Sequence, residues 1–270
     1  INIKSHPKIT VELIAINQAY PLITSLTTLG KTHEGNDIWS LKISDNVKID
    51  ELEPEVKYIA NMHGNEIVGR ELMILFIKDI LSRYKNGETQ AKELIDSLEI
   101  YIIPSMNPDG ADKKRRGNSR WVDLNRDFPD FTTSDDVNNP EGREPETKAI
   151  MKFQETRHFS LSANFHGGAE VVNYPWDTIS DEHPLHEMVL NTSLDYASLV
   201  PGMRESTEFP RGVVNGYDWY EVNGGMQDWS YYWHNDLQIT VELSNQKYPD
   251  YSQVENYWNQ NKKSLYNFLK

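Results

Sequence analysis

Short runs of consecutive apolar residues alternate along this chain with longer stretches in which apolar residues return every three or four positions. The first pattern predicts strands at Ile38–Ile43, Val56–Met62, Glu99–Pro104, Ser160–Phe165 and Leu237–Leu243. Several are apolar on successive residues, as expected for strands covered on both faces. The second pattern predicts helices at Thr10–Tyr20, Glu66–Tyr84, Pro145–Thr156, His183–Leu199 and Ser252–Leu269. Gly30, Gly35 and Asn36 punctuate an early hairpin-like stretch. No repeat or low-complexity linker interrupts the alternation, so residues 1–270 read as one α/β domain. Two long segments fit neither pattern, Asn107–Asn139 and Pro201–Gly225, and loops of that length in a compact domain are usually functional.

Composition narrows the classes. Charged residues make up 25% of the 270 and hydrophobic residues 38%, which reads as a soluble globular protein. The longest apolar run, Leu72 to Ile77, is far short of the roughly 20 residues that cross a bilayer, so membrane insertion is not expected. Lys and Arg total 27 against 41 Asp and Glu, a net charge of −14. That sign excludes the basic footprint nucleic acid requires. It would assist the approach of cationic substrates, although solubility alone accounts for it. Cysteine is absent, which excludes disulfides and thiolate-held metals. The chain opens at Ile1 with no Met and no signal pattern and reads as a processed or trimmed product; a secreted or periplasmic location is the expectation.

Three short motifs carry candidate chemistry. His63-Gly64-Asn65-Glu66 follows one apolar strand and opens a predicted helix; His166-Gly167-Gly168 follows another strand. Imidazole and carboxylate both suit zinc, and sites in open α/β sheets gather at strand ends. His63, Glu66 and His166 would form a His₂Glu set with a fourth position left for water. Glu242 lies inside the apolar stretch Ile239–Leu243. A carboxylate there is expensive to bury without a role or a partner. It reads either as a base beside the metal or as half of a satisfied ion pair.

Further pieces complete a resemblance. Pro104 to Gly110, Asp123-Leu124-Asn125-Arg126, Asn173 to Asp177, Gly224 to Trp229 and Thr240 to Ser244 join the two His-Gly motifs in order, over roughly 59–249. Together they resemble the zinc metallocarboxypeptidases, and within them the regulatory branch of carboxypeptidase N, E and D-like enzymes. The resemblance implies an α/β fold with a mixed, twisted eight-stranded sheet and helices on both faces. It also implies one zinc per chain held by His63, Glu66 and His166, with Glu242 as the general base toward zinc-activated water. Arg116 would stabilise the oxyanion, with Arg115 or Arg120 as alternatives in the same basic run. Asn125 and Arg126 would clamp the substrate's terminal carboxylate, Asp123 would orient His63, and Tyr220 would close over the bound residue. Non-proline cis peptides are implied at Pro175–Trp176 and Ser244–Asn245.

Asp177, eleven residues after His166, matches an acid that pairs with C-terminal Lys or Arg in that branch, and Gln227 matches a polar residue of the same pocket. A helix or turn cap is the competing role for Asp177. The implied function is hydrolysis of the last peptide bond of peptides or proteins with basic C-termini, by a monomer. Two departures stand out: Asp127 replaces the family's usual Asn beside Arg126, and this chain stops at Lys270, so the small β-sandwich usual in that branch is expected to be absent or removed. The alternatives are a zinc amidohydrolase acting on small amino-acid conjugates and an inactive peptide-binding relative.

Overall fold

The computed structural model describes residues 3–270. Among them eight strands form one sheet: β1 (Thr24–Lys31), β2 (Asp37–Ile43), β3 (Glu55–Ala60), β4 (Glu99–Ile103), β5 (Phe159–His166), β6 (Ala169–Tyr174), β7 (Val213–Asn215) and β8 (Leu237–Ser244). The order across the sheet is β1-β2-β4-β3-β5-β8-β6-β7. The central strands β4, β3, β5 and β8 run parallel, while β2 and β6 join them antiparallel, so the sheet is mixed as expected.

The helices are α1 (His6–Ala19), α2 (Val68–Lys85), α3 (Thr89–Ile95), α4 (Pro108–Asp112), α5 (Pro145–Glu155), α6 (His186–Ser198), α7 (Pro201–Arg204), α8 (Gly216–Trp219), α9 (Met226–His234) and α10 (Val254–Asn267). Side chains alternate across a strand, and β3 shows the consequence. Val56, Tyr58 and Ala60 pack with Leu13 of α1, Phe76 of α2, Val189 of α6 and Leu265 of α10. Ile59 turns the other way and packs with Ile150 of α5 and Trp229 of α9. Helices therefore cover both faces. None of the described helices is long and apolar enough to cross a membrane.

The longest helix, α2, has Glu71 in its first turn and Arg83 and Lys85 in its last, complementing the helix dipole. Leu72, Met73, Phe76, Ile77 and Ile80 form its buried face. Each such side chain contributes about 1.5–3 kcal/mol when fully buried.

All five predicted strands are present, with ends displaced by one or two residues. The three further strands lack an apolar run: β1 is rich in Thr and half exposed, β6 is interrupted by Glu170 and Asn173, and β7 has three residues. Helix α1 begins earlier than predicted because Pro7 is tolerated in a first turn. The segment 107–139, irregular in prospect, is largely so, apart from α4 and a single turn at Leu124–Arg126.

The path of the chain fixes where a site can form. From β3 it passes through α2 and α3 to β4 on one side, while β5 pairs with β3 on the other. The order reverses at β3, which opens a crevice at the carboxyl ends of β3 and β5.

Candidate active site

The loop after β3 is built around Asn61. Its backbone is left-handed, with φ of 59°, a conformation Asn tolerates better than most residues. Its buried Nδ2 donates to the carbonyls of His63, Gly64 and Glu66 at 3.0, 3.3 and 3.2 Å, and its Oδ1 accepts from Ser105 at 2.8 Å. The Glu66 carbonyl is thereby turned to Asn61 and not along a helix axis. Glu66 does not open α2, as the sequence pattern predicts; the helix begins at Val68. Gly64 lets α4 approach: a Cβ there would lie 2.2 Å from the carbonyl carbon of Gly110 and 2.4 Å from the nitrogen of Ala111. Asn107 closes the assembly, donating to the carbonyl of Met62 at 3.1 Å and capping α4 through Gly110 N–H at 2.9 Å.

His63, Glu66 and His166 converge. His63 Nδ1 lies 3.0 Å from Glu66 Oε2, His166 Nδ1 lies 2.9 Å from the same oxygen, and the two Nδ1 atoms are 3.0 Å apart. All three residues are buried. Two imidazole nitrogens and a carboxylate oxygen so close together cannot all be satisfied by shared protons, whereas a cation accepts all three lone pairs. Asp123 Oδ1 takes His63 Nε2 at 2.9 Å, which assigns the ring proton to Nε2 and leaves the Nδ1 lone pair free. The donor set fits zinc. Burial raises the Asp123 carboxyl, but His63 and Arg116 outweigh it and hold the group well below the usual carboxylate range.

A second grouping, His33, Glu144 and Glu146, is of another kind. It sits at the amino end of α5, where carboxylates are favoured, and Asn118 Nδ2 already donates to both acids.

Glu242 stands on β8 in register with His166 of β5. It is 8% exposed, and its Oε2 is buried without a hydrogen-bond partner. Burial, opposed by His166 and reinforced by Glu66, pushes its carboxyl up to about 7. Of the three arginines considered for the oxyanion, Arg116 lines the cavity; its Nε donates to Asp123 at 2.9 Å and its Nη1 to Glu66 at 3.3 Å. Arg115 instead stacks over the Trp121 ring at 4.5 Å, and Arg120 is exposed.

The cavity wall beyond the three converging residues holds Asn125, Asn173, Asp177 and Tyr220. Asp177 is 4% exposed. Gln227 donates to its Oδ1 at 3.1 Å and to Asn173 at 2.8 Å. Its backbone N–H is held by Asp228 at 2.8 Å. Burial pushes the Asp177 carboxyl up to about 7, against Asn173 and Arg126. Gly216 makes room for it, since a Cβ there would fall 1.6 Å from Asp177 Oδ1. Asn125 Oδ1 accepts from Met226 N–H at 3.0 Å. Tyr220, 45% exposed, sits where α8 ends.

One expected member is not brought in. Arg126 is exposed, does not line the cavity, and donates to the carbonyl of Asn125 at 2.8 Å. Asp127 points away from it and caps α5 through Glu144 N–H at 2.9 Å. Of the two expected cis peptides, Pro175–Trp176 is cis and Ser244–Asn245 is not. The turn after β8 is closed in the trans form by Gly168 N–H on Ser244 O at 2.7 Å and Ser244 Oγ on Gln246 O at 2.8 Å.

Sequence reasoning missed Asn61 and Lys247. An Asn directly between a strand and a His-Gly pair was a usable signal for the first. Lys247, three residues past β8, lines the cavity and donates to Glu66 Oε1 at 2.8 Å; nothing local in the sequence marks it.

A profile described as zinc carboxypeptidase matches residues 9–264. Human carboxypeptidase D is 38% identical over 98% of this chain, and mouse carboxypeptidase M is 39% identical over 96%. The chain spans 21% of the former protein and 63% of the latter. Among solved structures, thrombin-activatable fibrinolysis inhibitor superposes with a TM-score of 0.84 at 19% identity, covering 99% of this chain and 73% of that one. Carboxypeptidase A from Helicoverpa armigera gives 0.81 at 18% identity, covering 98% and 72%. These two likenesses are of fold.

The close approach at Gly64 yields a prediction. Gly64→Ala forces backbone to move and is expected to destabilise the protein by about 1–3 kcal/mol. Urea unfolding beside the unsubstituted protein measures this, and an unchanged midpoint would contradict the packing described.

Proposed function

The chain belongs to the zinc carboxypeptidase family, and from that premise we propose that it hydrolyses the last peptide bond of peptides or proteins, with a preference for C-terminal Lys or Arg. The observation that carries this reading is a buried acid, Asp177, in the wall of the cavity that also contains His63, Glu66, His166 and Glu242. One zinc per chain, a secreted or periplasmic location and a monomeric state belong to the same proposal, as does residues 1–270 acting as one catalytic domain.

His63, Glu66 and His166 would hold the zinc, which would supply a Lewis acid able to lower the pKa of water to about 7. Glu242 removes a proton from the attacking water on its unpartnered Oε2 and delivers it to the leaving amine. A carboxyl group near 7 is suited to both directions of transfer. Arg116, braced by Asp123, presents its guanidinium to the developing oxyanion; a donor in that role contributes about 3–4 kcal/mol. Asp123 fixes the tautomer and direction of His63.

Asn125 can donate its Nδ2 to the substrate's terminal carboxylate, because its Oδ1 is committed to Met226. Arg126 turns inward from the rim to complete the clamp, giving up only its bond to the Asn125 carbonyl. Tyr220 closes from α8. The terminal side chain enters beside Gly216 and meets Asp177, held by Gln227. A buried acid rewards a cation and penalises an apolar group.

A peptide series differing only in its last residue, Arg, Lys, Leu, Phe or Glu, tests the whole reading with and without a zinc chelator. Chelator-sensitive release of Arg and Lys is expected. Preferential release of Phe or Leu would reject the role of Asp177, and no release would reject the activity.

Glu242→Gln is expected to lower kcat by about 10²–10⁴-fold while metal analysis still finds one zinc per chain. Loss of zinc would instead make Glu242 a ligand.

A pH dependence follows from Asp177. Its empty-pocket carboxyl titrates near 7 and is neutral below that, with Asp228, Arg126 and Tyr220 as its charged or titratable neighbours. The ratio of kcat/KM for Arg-ending to Leu-ending peptides is therefore expected to fall between pH 8 and pH 6. Taking a ratio cancels Glu242, which serves both substrates. A flat ratio would count against the assignment.

A further inference from the structure

The proposed reading uses every cation near the cavity except Lys247, and the position of Lys247 is built. Its carbonyl accepts from Ile67 N–H at 3.1 Å, tying the turn after β8 to the start of α2. Its side chain runs across Gly168, whose φ is +131° and where a Cβ would lie 3.0 Å from Lys247 Cε and 3.5 Å from Nζ. Any larger residue at 168 would displace the chain that carries the ammonium. Nζ holds three N–H groups, and the one recorded acceptor is Glu66 Oε1 at 2.8 Å. The side chain is 43% exposed, so donors remain for a ligand.

The two ends of the cavity are occupied by opposite charges. Strand β6 runs antiparallel to β8 with Asn173 opposite Thr240 and Ala169 opposite Ser244, so Asp177 follows the Thr240 end of that pairing and Lys247 the Ser244 end, with Glu242 between. Lys247 touches Glu66, Gly167 and Gly168. The converging His63, Glu66 and His166, with Glu242, lie between. A substrate whose last side chain reaches Asp177 and whose carboxylate meets Asn125 must place the scissile bond at the middle. Its preceding residue then leaves on the Lys247 side.

We propose that Lys247 recognises an acidic side chain on the residue immediately before the scissile bond, so that the favoured substrates end in an acidic residue followed by a basic one. The inference rests on the proposed carboxypeptidase reading, which supplies the direction of the peptide. The half-exposed ammonium gives a modest, salt-sensitive preference. Arg116, the other cation lining the cavity, is braced by Asp123 and Glu66 and serves every substrate alike.

The test compares peptides ending in Glu-Arg, Gln-Arg and Lys-Arg at low salt, using zinc-loaded protein of measured zinc content. The unsubstituted enzyme is expected to favour Glu-Arg over Gln-Arg in kcat/KM by about three- to fivefold, with Lys-Arg last. Lys247→Met is expected to bring the Glu to Gln ratio to about one, and Lys247→Arg to retain it. The same ratio read as peptide dissociation constants on Glu242→Gln protein gives a measure independent of turnover. A ratio near one in the unsubstituted enzyme, or an undiminished ratio in Lys247→Met, overturns the assignment. If no peptide releases Arg, the carboxypeptidase reading fails, and the dissociation constants still decide whether Lys247 prefers an acidic neighbour. Should Lys247→Met lose zinc or fail to fold, the ratio in the unsubstituted protein and its collapse in high salt decide instead.

Discussion

The side-chain amide of Asn61 reaches the carbonyls of His63, Gly64 and Glu66 in the loop that carries two of the converging side chains, and the shape of the site follows from that contact. Backbone polar groups buried without partners are costly, so a loop this deep needs an internal donor. One buried amide meets the need, and it determines which way the loop curls. His63 and Glu66 then point to the same place as His166, which arrives on the neighbouring strand. Gly64 allows α4 to lie directly against the loop, which brings the backbone of Arg116 within 3.1 Å of Gly64 N–H. His63, Glu66, Arg116 and the loop are thus parts of one packed unit.

Charge is organised around that unit in a way the net value of −14 conceals. Glu66 receives Arg116 and Lys247 on one oxygen while its other oxygen faces the two imidazoles. Asp123 links His63 to Arg116. Each of these charges therefore has an opposite neighbour, as burial requires. Glu242 and Asp177, in the wall of the same cavity, have no cation within hydrogen-bond reach. Both are buried, and both have their carboxyl groups raised to about 7. Groups left partly unpaid in the resting protein are those with work to do on a substrate.

The sequence was most legible where a physical constraint is local. Consecutive apolar residues marked β3, β4, β5 and β8, which are buried on both faces, and helical spacing marked α2 and α10. His63, Glu66, His166 and Glu242 were visible because polar residues at the ends or in the middle of such strands need a reason to be there. Strand β1 was signalled only by the turn of the hairpin it forms with β2, because an edge strand half exposed to solvent has no apolar signature. The start of α2 was misplaced because Asn61, five residues before Glu66, claims a carbonyl that the helix pattern assigns to itself. Arg126 was expected inside the cavity on resemblance alone, yet its side chain lies at the rim, where long cationic side chains remain hydrated. Lys247 was beyond reach because its contact with Glu66 spans 181 positions along the chain.

On the proposed reading, the burial of Asp177 would set stability against selectivity. Asp177 sits beside Gly216, which gives up a side chain so that the carboxylate fits, and it is braced by Gln227 and by the backbone bond to Asp228. Holding an acid rigidly in a dry wall costs the empty protein free energy, part of which is avoided by taking up a proton. A bound cationic side chain removes that cost, while an apolar one leaves it in place. On the proposed reading the discrimination would come from a penalty already present in the unliganded protein, and a looser, more hydrated Asp177 would make the fold easier to form and the pocket less selective.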